Sequence, residues 1–380
     1  MDSGEQAILV CGERKGGTRF FALDITSPDS PTLLWWIDQN TAGFSELGES
    51  WSEPSFGKVK TSASDTDGTD VVFLGGGYSA DNTKGRALFV VNLKTGALVK
   101  AFTSSSMTFS FPSAAFPVDI QNNGFTDKVY IGDIGGQMWR FASVDSAQGI
   151  KYADENINTW TAHVLFSAPQ DTTKATAADR KFFYPPTVTL EKNFDLVFMT
   201  TGDRENPCDS ETSDKIYAVK DDHDDTTVYE SNLTNVTSST NATIDYGTSD
   251  GWYINLSTGE KPLSNGTVFY GVYYVTTFTP ITDDPCAIGG IGKLWGVGYK
   301  NGNVISELNF SGDSGRSTSL GGGIPSKPVL VLTEEGAKLL ISVGSTEETE
   351  GSTSTGAGVV AADPLISKNF FELWWRQLTN

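Results

Sequence analysis

Histidine and cysteine are scarce, at two and three residues among 380. His163 and His223 fall in no metal-ligand or nucleophile–base spacing, and no Cys-x-x-Cys pair occurs. A Gly-x-Ser-x-Gly elbow, a P-loop and a His-Glu-x-x-His motif are also missing, so an enzyme is not expected. Basic residues are short as well: 27 stand against 47 acidic ones, a formal net charge of −20. Such a surface repels polyanions, so neither nucleic acid nor an anionic membrane is expected as a partner. No apolar run approaches the roughly 18–20 residues of a spanning helix, and no helical period is sustained. Met1–Gln6 contains no signal-peptide core.

What is abundant is glycine, at 40 residues, set between short apolar segments. Six times a strand-like segment runs into a Gly-rich loop and then into a second strand. The pairs are Ala7–Gly12 with Thr18–Asp24, Val71–Gly77 with Arg86–Asn92, and Lys128–Gly132 with Gln137–Ala142. Leu196–Gly202 with Lys215–Asp221, Val272–Phe278 with Lys293–Tyr299, and Leu339–Gly344 with Gly358–Asp363 complete the set. They recur roughly every 57–76 residues, too long for a bare hairpin and enough for a four-stranded blade with loops. Inner strands are expected at Pro54–Val59, Ser113–Ile120, Tyr184–Leu190 and Ser326–Leu332. Outer strands are expected at Leu33–Asp38, Leu98–Phe102, Trp160–Phe166 and Phe371–Arg376. The expected fold is therefore all-β: a single β-propeller domain over residues 1–380, with six blades and room for a seventh. The first pair has no inner strand before it, which points to excision from a longer parent.

Two features interrupt the pattern. Residues 221–266 open on an acidic run and continue through a Ser/Thr/Asn-rich stretch, either a surface excursion or a degenerate extra blade. Cys208 and Cys286 each sit in a long loop within adjacent repeats, so they are either bridged across neighbouring blades or two free thiols. Cys11, inside an apolar strand, reads as a small buried side chain.

The sharpest candidate for chemistry is the loop Asp119-Ile-Gln121-Asn-Asn123-Gly-Phe125-Thr-Asp127. It follows the first nine positions of an EF-hand loop: oxygen ligands at 1, 3, 5 and 9, a backbone carbonyl at 7, and glycine at 6. A hard cation wants six to eight oxygens, and alternate side chains in a tight loop converge on one point. Asp119 and Asp127 would then supply charge, Gln121 and Asn123 neutral oxygens, and Phe125 its carbonyl. Two carboxylates imply a weak calcium site, on the order of 10⁻⁴–10⁻³ M. The competing reading is an ordinary Asn-Gly turn between strands. Asp65-Thr-Asp67-Gly-Thr-Asp70 has the same residue types but is one residue short, and Asp-Gly turn chemistry accounts for it.

Several stretches, in the same order along the chain, resemble the C-terminal domain of the PilC/PilY family of type IV pilus biogenesis factors and tip adhesins. They are residues 16–28 (Gly-Gly-Thr-Arg-Phe-Phe-Ala-Leu-Asp-Ile-Thr-Ser-Pro), 51–54 (Trp-Ser-Glu-Pro) and 127–141, with the nine-residue loop just before the last. Residues 201–205, 251–256, 259–261 and 285–290 continue the match. The resemblance implies a modified propeller, seven-bladed in the family, and calcium in the loop Asp119–Asp127. The family usually has Asp or Asn where this chain has Gln121. It also implies a non-enzymatic role in pilus assembly and in opposing retraction. The location implied is the pilus tip or cell surface, after export through the periplasm. Pilin, minor pilins and other pilus machinery are the implied partners, with host or abiotic surfaces as adhesion targets. No Arg-Gly-Asp triplet occurs, so integrin-type binding is not carried over. Two other classes use comparable propellers: a quinoprotein-like dehydrogenase, whose cofactor ligands and base cannot be assembled here, and a glycan-binding module.

Overall fold

The computed structural model describes residues 6–143, 154–168, 180–281, 289–333, 336–344, 358–362 and 364. Among these residues there is no α-helix; the chain is strands joined by turns and short 3-10 segments. The strands are β1 (Ile8–Gly12), β2 (Phe20–Asp24), β3 (Thr32–Ile37), β4 (Ser55–Val59), β5 (Thr69–Gly75), β6 (Leu88–Asn92) and β7 (Leu98–Phe102). Next come β8 (Phe116–Val118), β9 (Lys128–Gly132), β10 (Gln137–Ser143), β11 (Trp160–Ser167), β12 (Thr187–Leu190), β13 (Asp195–Thr200) and β14 (Lys215–Asp221). Then follow β15 (Val228–Tyr229), β16 (Thr234–Asn235), β17 (Gly251–Asn255), β18 (Lys261–Pro262), β19 (Thr267–Phe269), β20 (Val272–Pro280) and β21 (Gly290–Gly298). The last are β22 (Ser317–Gly322), β23 (Val329–Thr333), β24 (Gly336–Val343) and β25 (Gly358–Ala362).

They form six sheets, in the orders β1-β2-β3, β4-β5-β6-β7, β8-β9-β10-β11-β15, β12-β13-β14-β17-β16, β18-β20-β21-β22 and β23-β24-β25. Each is centred on one of the six strand pairs read from the sequence. The expected outer strand Phe371–Arg376 lies outside the described residues. By contact, the chain divides into two compact units, residues 1–197 with 220–231, and residues 198–219 with 232–380.

In the first unit the sheets stack face to face. Val10, Phe20, Ala22, Trp35 and Ile37 pack on Val72, Leu74, Phe89 and Val91 of the second sheet. The opposite face of that sheet, Val71, Phe73, Leu88 and Val90, packs on Val129, Ile131, Trp139 and Phe141 of the third. A sheet buried on both faces has no polar side to alternate with. That is why Val71-Val72-Phe73-Leu74 and Leu88-Phe89-Val90-Val91 are unbroken apolar runs. Each such side chain contributes about 1.5–3 kcal/mol by leaving water. In the second unit Val272, Tyr274 and Leu294 pack with Leu339, Ile341 and Val343.

One irregularity recurs. The register slips by one residue where β2 meets β3, β6 meets β7, β10 meets β11, and β21 meets β22. Each slip is a bulge between the second strand of a repeated pair and its outer neighbour, and bulges there increase local twist. The segment between β14 and β17 makes no sheet of its own among the described residues. Its β15 adds in parallel to β11, and its β16 adds in parallel to β17.

Candidate metal-binding loop

The loop that follows β8 is organised by its two acidic ends. Asp119 Oδ1 accepts from the Asn123 amide (3.2 Å) and Oδ2 from the Gly124 amide (2.7 Å). The chain turns through Asn122 at φ 53° and Gly124 at φ 88°, both left-handed. Asp127, wholly buried, closes the loop: its Oδ2 accepts from the amides of Ile120 (2.6 Å) and Gln121 (3.4 Å). The Gln121 side-chain amide reaches Asp127 Oδ1 at 3.4 Å, and Asn123 Oδ1 accepts from the Phe125 amide at 3.0 Å. Asp119, Gln121, Asn123 and Asp127 are thus gathered around one turn. The Phe125 ring points away, against Gly68, with the Lys60 ammonium 4.7 Å from its centroid.

Two charged residues outside the loop complete its surroundings. Glu155, 6% exposed, places Oε1 at 2.5 Å from Asn123 Nδ2, and the Lys60 ammonium lies 2.5 Å from Glu155 Oε2. Burial pushes the Asp127 carboxyl above its ordinary range; backbone hydrogen bonds from Ile120 and Gln121 pull the other way, and the charges of Glu155 and Asp119 add to the rise. Each of these side chains carries an oxygen, three of them are carboxylates, and among the described residues the cation against them is the Lys60 ammonium. A buried carboxylate short of positive charge is stabilised by a cation, and an all-oxygen set suits a hard one. The residues present therefore fit calcium. The shorter turn at Asp65 is explained by its own hydrogen bonds, with Oδ2 accepting from Thr61 and Oδ1 from Gly68.

Directly after Asp127 the chain enters a second charged cluster that composition does not announce. Lys128 is wholly buried and ion-pairs with Asp195; its Nζ also lies 3.2 Å from His223 Nδ1. Tyr130 donates to Asp221 at 2.5 Å and lies 3.0 Å from Asp195. Arg140 reaches Asp221 at 2.5 Å and the Asp224 carbonyl at 2.7 Å. Burial pushes the Asp221 carboxyl up, but Arg140 and Lys128 outweigh it and hold it at about 2. Asp195, Asp221 and His223 have the spacing of a metal triad. The Lys128 ammonium already takes the cation's place among them, and with Arg140 it balances both carboxylates. These buried side chains are paired with one another, so the cluster reads as a structural bolt.

The second unit has equivalents. Lys261, wholly buried, donates to the carbonyls of Pro207, Asp209 and Gly259. That contact holds the loop carrying Cys208, which is exposed. Cys286 lies outside the described residues. Arg316 donates to the carbonyls of Val236, Thr237, Ser239 and Gly302, tying down the Ser/Thr/Asn-rich excursion. Cys11, expected to be buried, is half-buried instead, because its side of β1 is the one away from the core.

A family profile for the PilY1 beta-propeller domain matches residues 1–244. A type IV pilus biogenesis factor PilY1 homologue of Xylella fastidiosa is 38% identical over 146 residues, which is 38% of this chain and 11% of that protein. Type IV pilus biogenesis factor PilY1 of Pseudomonas aeruginosa is 34% identical over 142 residues, 37% of this chain and 12% of that protein. The chain thus matches about a tenth of the length of these curated relatives. The crystal structure of the Pseudomonas aeruginosa PilY1 C-terminal domain superposes with a TM-score of 0.68 at 19% identity. That match covers 88% of this chain and 78% of the other, and it establishes the β-propeller fold.

Proposed function

This chain belongs to the PilY1 β-propeller family, and we propose that it is a non-enzymatic factor of type IV pilus biogenesis whose activity is set by calcium in the loop Asp119–Asp127. The observation that carries this reading is the loop itself, an oxygen-only turn closed by a buried carboxylate. Asp119, Gln121, Asn123 and Asp127 would hold the ion through side-chain oxygens, and Phe125 through its carbonyl. When bound, calcium supplies positive charge that the loop otherwise lacks. The protein's own residues do the rest. Asp119 and Asp127 fix the turn through four backbone amides, and Lys128, next in the chain, anchors β9 to Asp195 and His223. A pinned loop then presents a fixed surface to pilin, minor pilins or the retraction machinery, and opposes retraction by holding that contact.

The working location is the cell surface or pilus tip, where the acidic surface favours basic protein or cationic partners. No helix among the described residues is long and apolar enough to cross a membrane. The decisive experiment replaces Asp127 by Ala and measures calcium binding by calorimetry alongside surface piliation with and without calcium. Loss of both is expected. A variant that keeps calcium-dependent piliation would falsify the proposal.

A further inference from the structure

Strand β4 ends by holding two separate stretches of chain. The Lys58 carbonyl accepts from the Thr126 amide at 2.8 Å, which fixes the loop. The Lys60 amide donates to the Glu155 carbonyl at 3.0 Å, and the Lys60 carbonyl accepts from the Ile157 amide at 2.9 Å. These backbone bonds deliver Glu155 to the loop's fifth position, beside Asn123. A twelve-residue calcium loop is completed by a bidentate glutamate at its twelfth position. Here the ninth position runs straight into β9, and the twelfth is Tyr130, whose hydroxyl is committed to Asp195 and Asp221. The loop alone therefore offers no carboxylate at its twelfth position.

We propose that Glu155 is that closing ligand, supplied from outside the loop, and that Lys60 is the cation that holds it when calcium is absent. The inference rests on the calcium reading above and names the residues that set its affinity. Glu155 is buried and its backbone is pinned on both sides, so its carboxylate is presented with little freedom to lose on binding. Its Oε1 accepts from Asn123 Nδ2, the amide nitrogen of a side chain whose oxygen is a ligand of the proposed site, and its Oε2 meets the Lys60 ammonium. Calcium and Lys60 therefore compete for one carboxylate. Glu155 also raises the charged ligands from two to three, which offsets the neutral Gln121.

The test is calorimetric titration of the 380-residue chain with calcium chloride, with thermal melting in chelator as a check on folding. Glu155→Gln keeps the size and removes the charge, and should weaken binding about tenfold. Lys60→Met keeps the stem over Phe125 and removes the competitor, and should tighten binding about threefold. If Glu155→Gln fails to fold, the Lys60→Met arm decides alone. Unchanged affinity in both variants overturns the proposal and leaves the loop reading standing. A wild-type chain that binds no calcium overturns the loop reading itself.

Discussion

Lys128 is the first residue of β9 and stands between Asp127, which closes the loop, and a pair of buried carboxylates. Among the described residues, removing it takes the ammonium from Asp195 and leaves Arg140 on Asp221, and a buried charge that loses its partner is costly. Lys128→Met should therefore destabilise the fold by about 3–5 kcal/mol, read as a lowered midpoint in urea unfolding. An unchanged midpoint would mean that Lys128 does not offset the burial of these carboxylates. Arg316 poses the same question with neutral partners. A planar guanidinium reaches four carbonyls at once, whereas a lysine has a single nitrogen to share among them.

Two glycines with left-handed backbone shape the elements around the loop. Gly68 has φ +70°, and a Cβ there would stand 2.4 Å from the Phe125 ring. Gly124 has φ +88° but open space within 4 Å. Gly68→Ala thus meets both strain and a clash, while Gly124→Ala meets strain alone. The first should cost about 2–3 kcal/mol and the second about 1 kcal/mol, compared by thermal melting in chelator. Equal losses would show that the Phe125 contact does not matter. These elements were legible to different degrees, for physical reasons. Strand pairs such as Val71–Gly77 with Arg86–Asn92 stand out because two buried faces demand continuous apolar runs. The loop stands out because its oxygen-bearing side chains are local in sequence. Glu155 does not, since it reaches Asn123 only because the end of β4 holds its backbone, and Lys60 meets it there. Lys128, Arg140, Lys261 and Arg316 carry charges ordinarily found in water, and nothing in composition marks them as buried. His223 lacks any ligand spacing in sequence, yet it meets Asp195 because β9, β13 and the turn after β14 converge.

At the scale of the whole molecule, stability against pH sums groups of opposite sign, so single differences are the informative quantity. Burial pushes Asp133 up to about 7, against hydrogen bonds from Trp139, Gln137 and Gly135 that favour its charge. Its folded pKa lies above the unfolded value, so its contribution is fully present below about pH 4 and is lost as pH rises through about 7. Asp221, held at about 2, behaves inversely: its contribution is present above about pH 4 and is lost as pH falls through about 2. His163 and His223 are both pushed down, chiefly by burial, so they oppose Asp133 between pH 5 and 7 and blur the total. Asp127 shifts in the same direction as Asp133, and working in chelator keeps calcium from masking it. Urea unfolding from pH 3 to 8 should show the wild type gaining on Asp133→Asn as pH falls from 8 to 5. Its advantage over Asp221→Asn should instead shrink as pH drops from 5 to 3. Two parallel difference curves would mean that neither carboxylate has the environment assigned to it, and that the acidity at net charge −20 acts only through the surface.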